Sequence, residues 1–276
     1  MKNTVITFRQ AKGQRKLSML TAYDYSTAKI MDQSGVDALL VGDSLGMVML
    51  GHPDTLSVTV DDMVRHAAAV ARAAASALVI CDMPYLSYQI SVADCVRHAG
   101  RLVTEGGAQA VKLEGGADFS AEIRALTRAS IPVMGHLGLT PQSVNALGGY
   151  RVQGRSPAAA QKLLDDARAV QEAGAFALVL ECVPAGLAAR VTTELEIPTI
   201  GIGAGAACDG QVLVWQDMLG LCDRAAPKFV KHFGTVDTAM REAFKAFVNE
   251  VQAGSFPQAE HCYAIKDEEE MLGHLY

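Results

Sequence analysis

Glycine, then a short apolar run, then an acid closing the run: this order recurs at residues 35–43, 107–114 and 174–181. A fourth apolar run, 77–82, also ends in an acid. Short runs of Val, Leu and Ile, each entered from a glycine that can stop a helix, predict buried parallel strands. An unpaired carboxylate buried at the end of such a strand is costly, by several kcal/mol. Four strands ending alike therefore predict that the ends converge on one site.

Strands are expected at 17–20, 38–42, 78–81, 110–113, 132–135, 177–180, 199–202 and 228–231. Helices between them carry start signals. Thr59 with Asp62 and Ser91 with Asp94 have capping-box spacing, and Thr140-Pro141 and Ser156-Pro157 pair an N-cap with proline. Gly35, Gly106 and Gly174 stand where a helix-ending residue adopts positive φ. Strand and helix alternate without a low-complexity linker, which predicts a single-domain α/β fold, the (β/α)8 TIM barrel. An open doubly wound sheet is the alternative. Against it, no Gly-x-Gly-x-x-Gly follows the first strand, where Leu-Thr-Ala-Tyr-Asp-Tyr occupies 20–25. The chain divides into a basic N-terminal arm at 1–16, a barrel with a C-terminal helix at 17–262, and an acidic tail at 263–276.

Half the residues are apolar and a fifth are charged, enough for one large core. Net charge is −6 and no basic stripe is interleaved with aromatics, so no nucleic-acid partner is expected. Residues 67–80, the longest apolar stretch, are broken by Arg72 and Ser76 and are too short to span a bilayer. The six cysteines, at 81, 95, 182, 208, 222 and 262, form no Cys-x-x-Cys pair, which fits a reducing, cytoplasmic setting.

In a parallel barrel every strand's C-terminal end opens on one mouth, where chemistry gathers. Asp43, Asp82, Glu114 and Glu181 fall at such ends, and strand parity turns Lys112 inward beside Glu114. Any one of these acids alone could be an ordinary helix cap. Together they call for a neutralising charge, and a hard divalent cation such as Mg²⁺ bound by Asp43, Asp82 and Glu114 supplies it. A salt-bridge network closing the barrel end remains the alternative. Lys112 would then be a fixed positive charge for a substrate carboxylate or enolate oxygen. Glu181, across the mouth, is the candidate general base, or else a supporting carboxylate. His136, at the fifth strand's end, is a candidate substrate contact or a hydrogen-bonded structural group. Ser44 belongs to a loop able to donate to a carboxylate. The glycines at 201–205 suit a phosphate cradle, but close backbone packing or a tight turn explains them about as well. A metal, a lysine and a base across from them suit a 2-oxo acid losing a proton next to its carbonyl, through a Mg-stabilised enolate.

Several long motifs carry a resemblance: Gly-Asp-Ser-Leu-Gly-Met at 42–47, Val-Lys-Leu-Glu-Gly-Gly at 111–116, and Gly-His-Leu-Gly-Leu-Thr-Pro-Gln-Ser at 135–143. Others are Gly-Gly-Tyr-Arg-Val-Gln-Gly-Arg at 148–155, Leu-Glu-Cys-Val-Pro at 180–184 and Pro-Lys-Phe-Val-Lys at 227–231. From about Leu20 to His261 the chain resembles the ketopantoate hydroxymethyltransferase family. The resemblance implies a Mg²⁺-dependent barrel that moves a one-carbon unit from 5,10-methylenetetrahydrofolate to 3-methyl-2-oxobutanoate, giving 2-dehydropantoate for pantothenate synthesis. It places metal ligands at Asp43, Asp82 and Glu114, oxo-acid contacts at Asp43, Ser44, Asp82 and Lys112, and the proton acceptor at Glu181. It also implies a homo-oligomer, often a decamer. The tail beyond Cys262 is longer than the family pattern leads one to expect. Two rivals remain: a Mg²⁺-dependent lyase or mutase of the phosphoenolpyruvate mutase type, whose Lys-Lys-Cys-Gly loop is missing here, and a barrel with a binding role only.

Overall fold

Eight short strands, most of them buried on both faces, can satisfy their backbone only by pairing on both sides, and here they do so in a ring. In the computed structural model, which describes residues 2–221, 226–265 and 268–275, β1 to β8 form a closed, wholly parallel barrel. The strands are β1 Leu17–Thr21, β2 Ala38–Val41, β3 Leu78–Asp82, β4 Ala110–Glu114, β5 Val133–Gly138, β6 Ala177–Glu181, β7 Thr199–Ile202 and β8 Gly210–Leu213. The (β/α)8 architecture is as expected.

Helix α1 (Val5–Gln10) precedes β1, and α2 (Tyr25–Gln33) follows it. Next come α3 (Leu45–Val48) and α4 (Val60–Ala73) after β2, α5 (Val92–Thr104) after β3 and α6 (Ser120–Arg128) after β4. Then α7 (Val144–Leu147) and α8 (Pro157–Glu172) follow β5, and α9 (Ala185–Glu194) follows β6. After β8 come α10 (Trp215–Met218), α11 (Val236–Ala253) and α12 (Glu268–Gly273). The caps explain where helices start. At α4, Thr59 and Asp62 close a reciprocal box, and Ser91 and Ser156 each accept an N–H at the start of α5 and α8. Thr140-Pro141 instead opens a 3-10 turn with no side-chain cap. After α5, positive φ falls on Gly107 rather than Gly106, whose added Cβ would strike the Leu102 carbonyl oxygen at 2.5 Å.

One strand departs from expectation. The eighth is Gly210–Leu213, not 228–231, and it closes the ring by pairing with both β7 and β1. The chain returns from β7 through residues 203–209 without a helix, and its glycine-rich start hides it from a strand pattern. Residues 228–231 form a turn near the mouth, because the ring offers no free edge for them.

Strand alternation divides the core in two. Leu78 and Ile80 of β3, Met134 of β5 and Val179 of β6 point into the barrel, while Val79, Cys81, Val133 and Leu178 pack against the helices. The first sixteen residues contribute to the inner core: Phe8 of α1 is buried and meets Phe176 edge-on, with ring centroids 5.9 Å apart. At this end Lys12 pairs with Asp209 at 2.9 Å. Within the expected tail, Lys266 and Asp267 lie outside the described residues.

Candidate active site

Inward parity continues to the top of the strands, where it delivers polar side chains instead of apolar ones. In β3 the inward series is Leu78, Ile80, Asp82; in β4 it is Ala110, Lys112, Glu114; in β5 Met134 is followed by His136; and in β6 Val179 is followed by Glu181. Asp43 and Ser44 follow β2 at the turn into α3. Gly42 makes that turn possible, since a Cβ there would sit 2.7 Å from Ser44 Oγ. Asp43, Ser44, Asp82, Lys112, Glu114, His136 and Glu181 all line one cavity of about 490 Å³. Its floor is apolar, formed in part by Leu40, Val179 and Val212.

Register decides who meets whom. Asp82 is paired with Lys112, and Lys112 Nζ lies 3.0 Å from Asp82 Oδ1. Glu114 is paired with His136, whose Nδ1 is 3.4 Å from Glu114 Oε1. On the other side of the ring, His136 Nε2 lies 3.2 Å from Glu181 Oε2. Lys112 Nζ is also 3.1 Å from His136 Nδ1. The Asp43 N–H donates to Asp82 Oδ2 at 3.1 Å, and Ser44 Oγ shares a 2.8 Å hydrogen bond with the buried Tyr23 hydroxyl.

The electrostatics follow from burying an excess of acids. Burial first, and then the charges of Asp82 and Glu114, push the Asp43 carboxyl well above the usual carboxylate range. Burial likewise raises Asp82, against the opposing pull of Lys112. For Glu114, burial is outweighed by His136 and Lys112, and its carboxyl lies below the usual value. Burial opposes the charge on Lys112, but three surrounding carboxylates hold it protonated. Burial and Lys112 oppose protonation of His136; Glu114 and Glu181 outweigh both and raise it to about 9. The imidazole thus belongs to the site's charge network and is not an isolated core histidine.

Three carboxylates with too little positive charge around them suit a hard divalent cation in charge and donor type. Among the described residues, no three His, Cys, Asp or Glu side chains already enclose a common point. Lys112, His136 and Gln142 take up carboxylate oxygens instead.

Sequence reasoning passed over several residues. Gln142 and Tyr88 are buried behind the carboxylates, and the buried Thr55 hydroxyl, facing the cavity, has no hydrogen-bond partner. Tyr150, Arg151, Lys228 and Phe229 line the outer mouth. Phe229 also accounts for the first glycine after β7. Gly203 has φ +64°, and a Cβ there would lie 2.8 Å from the Phe229 ring, so close packing explains it. Cys182 lies just beyond β6 with φ +48°.

Comparison with known proteins identifies the family. The sequence profile of ketopantoate hydroxymethyltransferase matches residues 2–259. A 3-methyl-2-oxobutanoate hydroxymethyltransferase of Clostridium novyi (strain NT) is 59% identical over 277 residues, covering 100% of both chains. One from Enterococcus faecalis (strain ATCC 700802 / V583) is 58% identical, again over 100% of both. These matches run through the C-terminal tail, so the tail is not an extension relative to them. Among solved structures, the phosphoenolpyruvate phosphomutase of Streptomyces platensis subsp. rosaceus shares the fold, with a TM-score of 0.63 at 14% identity, over 98% of this chain and 96% of that one. With a whole-length profile and near-60% identity to curated relatives, the chain belongs to the ketopantoate hydroxymethyltransferase family.

Proposed function

We propose that the protein transfers a hydroxymethyl group to 3-methyl-2-oxobutanoate, giving 2-dehydropantoate in pantothenate synthesis, with 5,10-methylenetetrahydrofolate as one-carbon donor. The observation that supports this chemistry is a single cavity lined by Asp43, Asp82, Glu114 and Glu181, with Lys112 against Asp82 and His136 between Glu114 and Glu181. Asp43, Asp82 and Glu114 would hold Mg²⁺, which when bound withdraws electrons from the substrate carbonyl and so acidifies the adjacent carbon.

Glu181 removes the proton from C3, with His136 Nε2 3.2 Å from its carboxylate. Lys112, a permanent cation, faces the oxygen on which negative charge develops. Ser44, held by Tyr23, and Asp82 position the oxo-acid headgroup, with His136 beside them. The apolar floor takes the branched alkyl end and excludes water from the carbanion. The donor's methylene carbon enters from the outer mouth. Water replaces its two C–N bonds, releasing tetrahydrofolate and leaving the carbon at the formaldehyde level. Nucleophilic C3 then bonds to it as the proton held by Glu181 passes to the new hydroxyl oxygen.

The same reading includes a homo-oligomer, a decamer by family likeness, and a cytoplasmic setting. No residue of α11 is buried, and its apolar stripe of Met240, Phe244, Phe247, Val248 and Val251 stands exposed at helical spacing. The five described cysteines are free thiols, and no described helix is long and apolar enough to cross a membrane.

Incubating the protein with 3-methyl-2-oxobutanoate and Mg²⁺ in D₂O, without folate, tests the first step by NMR at the C3 proton. Exchange is expected, and it is expected to vanish on chelation of the metal and in Glu181→Gln. Exchange that survives chelation would remove the metal from the reaction, and exchange that survives in E181Q would remove Glu181 as base.

A further inference from the structure

Asp43 and Glu114 are not placed relative to each other by strand pairing, because β3 lies between β2 and β4. One residue bridges them, by its side chain on one side and its backbone on the other. Gln142, in the 3-10 turn after β5, is buried. Its Nε2 donates to Asp43 Oδ2 at 2.8 Å and to the Met83 carbonyl oxygen at 2.9 Å. Its backbone N–H donates to Glu114 Oε2 at 3.0 Å. Its Oε1 accepts from Gln89 Nε2 at 3.2 Å and lies 2.9 Å from the Tyr88 hydroxyl. Tyr88 in turn grips the Glu114 backbone, accepting from its N–H at 3.1 Å and lying 3.0 Å from its carbonyl oxygen.

This pattern fixes which way the amide points. Turned over, it would set Oε1 against two acceptors, Asp43 Oδ2 and the Met83 carbonyl, and Nε2 against the Gln89 donor. Gln142 therefore occupies one oxygen of Asp43 and one of Glu114 with neutral donors, which stops both carboxylates from rotating. A neutral donor suits this place: an acid would add to the excess of negative charge, and a lysine would compete with a cation.

We infer that Gln142, oriented by Tyr88, is a positioning residue that sets the spacing of the Asp43 and Glu114 carboxylates for a divalent cation. The inference rests on the proposed metal reading of the site. It differs from a purely structural cross-link, which would stabilise the fold without affecting how the folded protein binds metal.

Mn²⁺ titration followed by EPR, with thermal unfolding measured on the same samples, separates these possibilities. Wild type is expected to bind Mn²⁺, and Gln142→Leu, which keeps the backbone bond to Glu114 but loses the amide, to bind about tenfold more weakly while still folded. Binding by Q142L within twofold of wild type overturns the inference alone, whatever the change in melting temperature. Should Q142L fail to fold, Tyr88→Phe keeps the ring and removes the hydroxyl beside the amide oxygen. Weakening by roughly threefold or more supports the inference, and wild-type affinity overturns it. A wild-type protein that binds no Mn²⁺ overturns the metal reading and this inference with it.

Discussion

Lys112 shows how much one residue can carry in this protein. It is buried with its ion-pair partner Asp82, each side chain 4% exposed, and two further acids stand nearby. Removing one partner of a buried pair typically costs about 3–5 kcal/mol, because the other charge is left without compensation. Here the two partners are not equivalent. Lys112→Met leaves three acids facing one another, whereas Asp82→Asn reduces the crowding of negative charge. Urea unfolding is expected to show a loss of about 3–5 kcal/mol for K112M and a clearly smaller one for D82N. Equal losses would mean that the pair acts alone and the surrounding acids do not matter. The bond that decides this, Asp82 to Lys112, was legible in neither residue's sequence neighbourhood; it comes from the β3–β4 register.

At the scale of elements, the joints between helices and strands hold the ring in register. Asp32 of α2 illustrates one: its carboxylate accepts the N–H groups of Ala75, Ser76 and Ala77, at 3.1, 2.9 and 2.6 Å, where α4 turns into β3. Burial alone would raise its pKa, but these three donors outweigh burial and hold it below the ordinary value of 3.8. A carboxyl depressed in the folded state stabilises the fold above its unfolded pKa, and that stability disappears as pH falls through the lower folded value. Asp32→Asn is therefore expected to cost about 1–3 kcal/mol near neutral pH. The difference from wild type is expected to shrink below about pH 4 in chemical denaturation; a gap that stays constant down to low pH would place the cost elsewhere. The sequence showed the α4 and α5 caps, because capping is local. It did not show this joint, whose partners are more than forty residues apart.

At the scale of the whole molecule, a barrel needs its lower end filled and its helix faces covered. Phe8 fills the lower end from outside the ring, so Phe8→Ala is expected to cost about 3–5 kcal/mol in urea unfolding while leaving the distant mouth's metal affinity unchanged. A negligible cost would show that α1 is only laid against the barrel. Among the described residues Phe256 meets Phe247 edge-on, yet the apolar stripe of α11 stays largely exposed. If copies of the chain cover it, Phe244→Glu with Phe247→Glu is expected to shift sedimentation velocity from an oligomer to a monomer. A doubly substituted protein that sediments like wild type would take the stripe out of the assembly.

Local chemistry and periodicity were enough to specify strands β1 to β7, the starts of α4, α5 and α8, the inward parity of Lys112 and Glu114, and the acids at the strand ends, since each depends on neighbours in the chain. The eighth strand escaped because a glycine-rich entry and a helix-free return look like a loop until ring closure gives Gly210–Leu213 two partners. Only the tertiary structure put His136 between Glu114 and Glu181 and brought Gln142 to Asp43. Distances across a barrel are set by register and by side chains reaching over intervening strands, and neither leaves a periodic trace in the sequence.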